Sequence, residues 1–247
     1  MKALIFAAGL GTRLRPLTND RPKALVEVGG KSMLERVITH IAECGFTDIT
    51  INVHHFADKV IDYLNEHDNF GLDIHISDER DQVLETGGGI LKAQSFLDGD
   101  EPFLVHNADI LTDLDLKEFY QDHLDSGAMA SVLVKDRITS RYFLFDEGSR
   151  LQGWVNKTTG DTQPDGFVYC PGEYRELAFG GIHVISPSIF EPLRAYAKDS
   201  RKFSITPFYA QECHTHHIHG YEPTRPYRWI DVGKPETLRE ANALFSK

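Results

Sequence analysis

Blocks of apolar and mixed positions alternate along the first 135 residues. KALIFAA (2–8) reads as a buried strand, and SMLERVITHIAEC (32–44) as a helix with Met33, Leu34, Val37, Ile38 and Ile41 on one side. Ser32 followed by Glu35 forms a capping box at that helix start. DITINVHH (48–55) alternates and is rich in β-branched residues, so it is the second strand. ADKVIDYLNE (57–66) carries Ala57, Val60, Ile61 and Leu64 at helical spacing. LDIHIS (72–77) is the third strand, and GGILKAQSFL (88–97) a helix opening on glycines. EPFLVHNAD (101–109) is the fourth strand, LKEFYQDHL (116–124) a helix and MASVLVK (129–135) the fifth strand. This βαβα order predicts an α/β, Rossmann-like, mostly parallel sheet with helices on both faces.

Beyond residue 137 the pattern loosens. RYFLFDE (141–147) and RLQGWVNKTTGD (150–161) suggest a hairpin, and DGFVYCPGEY (165–174) a loop. AFGGIHVIS (178–186) is strand-like, and PSIFEPLRAYA (187–197) a helix with Pro187 near its start. In WIDVGKPETLREANALFS (229–246) a strand gives way to a helix, with Pro235 at its first position and Glu236 in its first turn. We expect one domain over 1–247, in two halves near 1–137 and 138–247.

Composition narrows the partners. The 26 basic and 37 acidic side chains leave a net charge of −11, which disfavours non-specific binding to nucleic acid or to anionic membranes. No apolar run reaches the roughly 18 residues of a membrane span. No cleavable leader pattern precedes the first strand, and Cys44, Cys170 and Cys213 form no paired motif. A cytoplasmic location is therefore expected. Charge is uneven, however: residues 1–40 hold seven basic side chains against three acidic ones. A local cationic loop on an acidic body suits a small anionic ligand.

That loop is FAAGLGTRLRPLTNDRPKAL (6–25), with Arg13, Arg15, Arg21 and Lys23 in eleven residues. It is not a P-loop, because no Lys-Ser or Lys-Thr follows a second glycine at the required spacing. It is not the dinucleotide fingerprint either, since Leu14 stands where the third glycine belongs. Gly9 and Gly11 permit close backbone approach, and the loop leaves the C-terminal end of the first strand, where open α/β sheets bind ligands. Unopposed cations beside exposed backbone N–H groups would make a polyphosphate cradle.

AAGLGTRLRPLTNDRPKAL resembles the signature of the sugar-1-phosphate nucleotidyltransferases, roughly AAGxGTRLxPLT followed by PK. The resemblance spans essentially the whole chain and is strongest at residues 3–25, 84–90 and 229–238. It implies that Gly9, Gly11, Thr12 and Arg13 cradle the triphosphate of a nucleoside triphosphate. Lys23 would reach the α-phosphate and the sugar phosphate, and Ala8 and Gly9 would lie against the base. LETGGGI (84–90) stands in the family's second nucleotide loop, with Gly87 and Gly88 placed for flat contact with a base. Glu85 either accepts N–H bonds from the base or stabilises a helix N-terminus. Asn107 and Asp109 in LVHNADIL, and Asp231 in WIDVG, match the family's metal step, so Asp109 and Asp231 are expected to hold Mg²⁺. Ala108 replaces the commoner glycine there. Lys157 survives from a Glu-Lys-Pro sugar motif whose neighbours are lost, and Gly180 and Gly181 match a strand beside the sugar.

The resemblance implies NTP plus sugar 1-phosphate giving NDP-sugar and pyrophosphate. It is nearest to N-acetylmuramate 1-phosphate uridylyltransferases, with mannose- or heptose-1-phosphate guanylyltransferases and phosphocholine cytidylyltransferases as alternatives. A non-catalytic regulatory subunit that binds nucleotide sugar is the alternative of another class. A chain ending at Lys247 is expected to lack the appended β-helix of larger relatives. A homodimer stays open. HTHHIHG (214–220) offers His214, His216, His217 and His219, but meets no zinc-site spacing.

Overall fold

The computed structural model of the protein describes residues 1–198 and 200–245. In chain order its first strands are β1 (Lys2–Phe6), β2 (Glu27–Val28), β3 (Lys31–Ser32), β4 (Asp48–Val53), β5 (Asp73–Asp78), β6 (Phe103–Asn107) and β7 (Ile110–Thr112). There follow β8 (Ala130–Lys135), β9 (Arg141–Phe145), β10 (Leu151–Asn156), β11 (Thr162–Gln163), β12 (Arg175–Ile185), β13 (Ile218–Tyr221) and β14 (Trp229–Asp231). The helices are α1 (Met33–Glu43), α2 (Ala57–Glu66), α3 (Glu85–Lys92) and α4 (Gln94–Leu97), then α5 (Leu116–Ser126), α6 (Phe190–Ala197), α7 (Ile205–Glu212) and α8 (Pro235–Phe245).

Strands β5, β4, β1 and β6 lie side by side, all parallel. β12 then runs antiparallel between β6 and β8, and β13 pairs parallel with β8. Burial on both faces explains the near-continuous apolar runs: every residue of β4 after Asp48 is buried. Adjacent residues of β1 serve opposite cores. Ala3 and Ile5 pack with α1, α2, α5 and α8, while Leu4 packs with α3, α4, α6 and α7. The mostly parallel sheet with helices on both faces is therefore as the alternation predicted.

The N-terminal half of β12 leaves this sheet to pair with β9, and β9, β10 and β11 form an antiparallel extension. The expected hairpin is β9–β10, and residues 165–174 contain no strand or helix. Residues past 217 return to the first half: β13 beside β8, and β14 antiparallel to β7.

Several local expectations change. Ser32 caps α1 by accepting the Glu35 N–H at 3.0 Å, worth about 1 kcal/mol. The Glu35 carboxylate turns instead to Lys31 and Tyr63. The glycine triplet lies inside α3, which starts at Glu85, rather than opening the helix; a second short helix, α4, follows Ala93. α7 has no counterpart in the predicted elements. It is apolar on several sides, with Ile205, Phe208, Tyr209 and Ala210 buried and Pro207 in its first turn, so no stripe marks it. β13 was hidden in the histidine-rich string. Ser246, at the end of the predicted last helix, lies outside the described residues.

Candidate active site

A cavity of about 220 Å³ opens at the C-terminal ends of β1, β4 and β6. Phe6, Ala7, Ala8 and Gly9 form one wall, Glu85 and Thr86 of α3 another, and Asn107, Ala108 and Asp109 a third. This is where open α/β sheets place ligands, because the connections leaving the strands diverge there.

The loop after β1 is folded by its own small residues. Gly11 has φ +62°, and a Cβ there would sit 2.9 Å from both Lys23 Cβ and Thr18 Cγ2. Thr18 Oγ1 donates to the Gly11 carbonyl at 2.8 Å, closing the loop on itself. Gly9 differs: a Cβ there would meet nothing within 4 Å, so open space lies over it. Ala8 and Gly9 line the cavity, whereas Gly11, Thr12 and Arg13 do not.

Lys23 lies in a single 3-10 turn, only 8% exposed, and its Nζ donates to Asp109 Oδ2 at 2.5 Å. The loop's cations are therefore not unopposed. Lys23 is answered by Asp109 and Arg21 by Asp20. Adjacent partners such as Asp20 are visible in sequence, but the β6–β7 turn that supplies Asp109 is 86 residues away.

Asp231 arrives by the short β7–β14 ladder, in which it pairs with Ile110, the residue after Asp109. The Val232 N–H donates to the Asp109 carbonyl at 2.9 Å. Arg228 clamps the far end of the ladder, donating from its backbone and side chain to both Asp113 carboxylate oxygens. Asp231 Oδ1 is buried without a hydrogen-bond partner. Burial, and then the Asp109 carboxylate, raise the Asp231 pKa, while Lys23, Arg13 and Arg137 pull it down. Arg13 and Asp231 flank Gly233, where a Cβ would lie 2.8 Å from Arg13 Nη2 and 2.9 Å from Asp231 Oδ1. Two carboxylates, one with an orphaned oxygen, are a donor set that fits a hard divalent cation. The expected pair is thus brought together.

Asn52 and Glu79 line the same cavity and were not singled out from sequence. Glu79 is 1% exposed and accepts from Asn52 Nδ2 at 2.6 Å and from the Leu84 N–H at 2.9 Å. Burial raises its pKa. Asn52 Oδ1 is buried and unpartnered. The available signal was a carboxylate and a carboxamide at the ends of two predicted parallel strands.

Gly87 and Gly88 sit elsewhere than expected. Their N–H groups both donate to the Phe203 carbonyl, and Cβ atoms would fall 2.3 Å from the Phe203 ring and 2.2 Å from the Arg201 carbonyl. They admit the 201–203 segment against α3 instead of facing the cavity. Glu85 does line it, with a left-handed φ of +60°. Gly181, at φ +76°, places its α-carbon beside Asn107, where a Cβ would be 3.0 Å from Nδ2. Gly180 presents its carbonyl to Trp229 Nε1 at 2.9 Å. Lys157 is held by Glu176, which also accepts from Tyr169, and it lies over the Tyr142 ring.

The histidine string has acidic neighbours from the helices: Glu212 beside His216 and Asp122 beside His219. Among the described residues, the group of three whose ligand atoms lie within 4.8 Å of one another is Asp48, Asp73 and His75. It lies at the N-terminal ends of β4 and β5, opposite the cavity.

The nucleotidyl transferase family model matches residues 2–247. The chain belongs to this family. It is a sugar-1-phosphate nucleotidyltransferase, as the loop after β1 implied. It is 35% identical to an N-acetylmuramate alpha-1-phosphate uridylyltransferase of Caulobacter vibrioides, over 99% of this chain and 97% of the relative. It is 32% identical to the protein of that name from Neisseria meningitidis serogroup B, over 99% and 98%. The fold is similar to that of a UDP-glucose pyrophosphorylase solved with UDP-glucose, with a TM-score of 0.77 at 21% identity over 99% of this chain and 97% of that one. No described helix is long and apolar enough to cross a membrane.

Proposed function

We propose that the protein transfers a uridylyl group from UTP to N-acetylmuramate 1-phosphate or a close analogue, with Mg²⁺, releasing pyrophosphate. The observation that carries this reading is the convergence of Asp109, Asp231 and Lys23 beside a base-sized cavity, with Asp231 Oδ1 buried and unanswered.

A phosphate oxygen of the sugar phosphate attacks the α-phosphorus of the nucleotide in line. The Pα–O bond to the β-phosphate breaks, and pyrophosphate carries off the electron pair. The nucleophile needs no base, since a phosphate monoester has a second pKa near 6 and is largely dianionic at neutral pH. Charge is the obstacle: two unit charges at 4 Å repel by about 4 kcal/mol at an effective dielectric of about 20. Lys23 moves from Asp109 onto the phosphates and offsets part of this, and Arg13 approaches from the Gly233 side. Asp109 and Asp231 would hold Mg²⁺, which when bound screens the phosphate oxygens and polarises the α-phosphoryl group.

Asn52 offers the cavity an acceptor, since its Oδ1 is buried without a partner, whereas both Glu79 oxygens already accept from Asn52 and Leu84. Uracil and guanine carry a ring N–H on their pairing edge; adenine and cytosine carry a ring acceptor there. An acceptor can take that ring N–H of uracil or guanine, or an amino N–H of adenine or cytosine, so it is similarity to the two uridylyltransferases that supports UTP. A panel of nucleoside triphosphates against sugar phosphates, read as released pyrophosphate, tests both choices. Activity with GTP alone would overturn the uridylyl assignment. Nucleotide-sugar binding without pyrophosphate release would overturn the reaction.

A further inference from the structure

A second cavity, of about 510 Å³, lies between the antiparallel extension and the start of α7. Its wall follows from register. Arg141 of β9 pairs with Asn156 of β10, Phe143 with Trp154, and Trp154 in turn with Gln163 of β11. Side chains of facing register partners share one side of a sheet, and alternate residues along each strand do the same. One face therefore carries an indole platform, two carboxamides and a guanidinium, all lining the cavity. Aromatic faces stack on the C–H side of a pyranose, and carboxamides bond its hydroxyls.

Two arginines, Arg137 and Arg141, line this cavity. Among the described residues, no carboxylate forms an ion pair with Arg141. Asp161 also lines the cavity, but its Oδ2 already accepts the Thr159 hydroxyl at 2.5 Å. Arg137 lines the cavity at the other end of the β8–β9 connection. It is near enough to Asp231 to lower that pKa and lies 5.4 Å from the Trp229 ring. Arg137 thus stands beside Trp229, two residues from Asp231, whereas Arg141 lies on the β9–β10 face beside Asn156.

We propose that Arg141 binds a carboxylate on the sugar and selects an acidic sugar 1-phosphate over its neutral counterpart. The proposal rests on the nucleotidyl-transfer reading above and adds the residue that reads the sugar. A guanidinium fork matches a carboxylate bidentately, which an ammonium does not.

The test is the ratio of kcat/KM for N-acetylmuramate 1-phosphate to that for N-acetylglucosamine 1-phosphate, which lacks the 3-O-lactyl group and with it the carboxylate. In Arg141→Gln this ratio should drop roughly ten- to a hundredfold, the scale of a hydrogen bond to a charged group. Arg141→Lys should restore part of it. Calorimetric affinities for the UDP-linked forms of the two sugars should show the same change of ratio without turnover. Equal losses on both sugars, or an unchanged ratio, overturn the proposal and leave Arg141 either structural or a ligand of the 1-phosphate. The wild-type arm separates the two readings. Wild-type turnover of neutral sugar phosphates but not N-acetylmuramate 1-phosphate removes the carboxylate role and keeps the reaction. No pyrophosphate from any sugar phosphate removes the reaction itself.

Discussion

The two cavities answer charge in opposite ways. At the ends of the parallel strands, cations stand beside carboxylates: Lys23 donates to Asp109, and Arg13 lies near Asp231, whose Oδ1 has no hydrogen-bond partner. In the antiparallel extension, Arg141 lines a polar platform and, among the described residues, is in no ion pair, although Asp161 lines the same cavity. A site that must bring two polyanions together benefits from acids as well as bases, because the acids recruit a divalent cation. A site that holds one neutral ring with one anionic substituent needs only the cation. The difference is between assembling a transition state and recognising a ground-state shape.

The largest effects should come from breaking the matched charges. Lys23→Ala and Asp109→Ala should each lower kcat at least about a hundredfold, the usual scale for losing one preorganised transition-state contact. Steady-state assays at saturating Mg²⁺ measure this. Near-normal turnover in either variant would mean that the Lys23–Asp109 pair is merely structural.

Glycines sharpen the contrast next. Gly88→Ala puts a methyl group 2.2 Å from the Arg201 carbonyl, a backbone atom that cannot swing aside. It should cost roughly 1–3 kcal/mol, or about 2–4 °C in Tm for each kcal/mol. Gly9→Ala puts its methyl into open space. Its Tm should stay at the wild-type value, while nucleotide affinity by calorimetry falls. If the alanine at position 9 melts as early as the one at 88, the open space over Gly9 is not a ligand site.

These glycines also show what could be read in advance. Periodicity and β-branched runs disclosed β1, β4, β5, β6 and the amphipathic α1, α2 and α5, because each has one or two faces with fixed burial. Gly87–Gly89 looked like a strand-to-helix turn. Nothing local reveals that Phe203 and Arg201 come to lie against Gly87 and Gly88, more than 110 residues on. α7 escaped because it is buried on several sides and shows no stripe. The loop after β1 was legible because its glycines and cations are contiguous. Its neutralisation by Asp109 was not, since that depends on two strands lying side by side. Asn52 and Glu79 were hidden for the same reason, being 27 residues apart and joined only across β4 and β5.

A smaller, pH-dependent effect probes the cavity's buried acid. Burial raises the Glu79 pKa above its ordinary value of 4.5 despite the bonds from Leu84 and Asn52. A raised carboxyl pKa favours the protonated form in the folded state. The stability this contributes is full below the unfolded pKa and is lost as pH rises through the folded one. Glu79→Gln cannot titrate, so the Tm advantage of wild type over this variant should shrink between pH 4 and pH 7. A gap that widens with pH would mean that the carboxylate, not the acid, is the favoured form.

The smallest effect tests the outer face of the extension. Lys157 stands where relatives are expected to contact the sugar phosphate, but here Glu176 holds its ammonium over the Tyr142 ring, and Asn156, not Lys157, lines the second cavity. Lys157 and Glu176 are both partly solvent-exposed, and pairs of that kind contribute about 0–1 kcal/mol. Lys157→Met should therefore change Tm by no more than about 2–4 °C. It should leave the KM for sugar phosphate within about fivefold, the change that about 1 kcal/mol represents. A tenfold or greater rise in KM with kcat preserved would show that Lys157 leaves Glu176 for the substrate phosphate. The unanswered cation of the extension would then have a second, switchable companion, and the contrast between the two cavities would narrow.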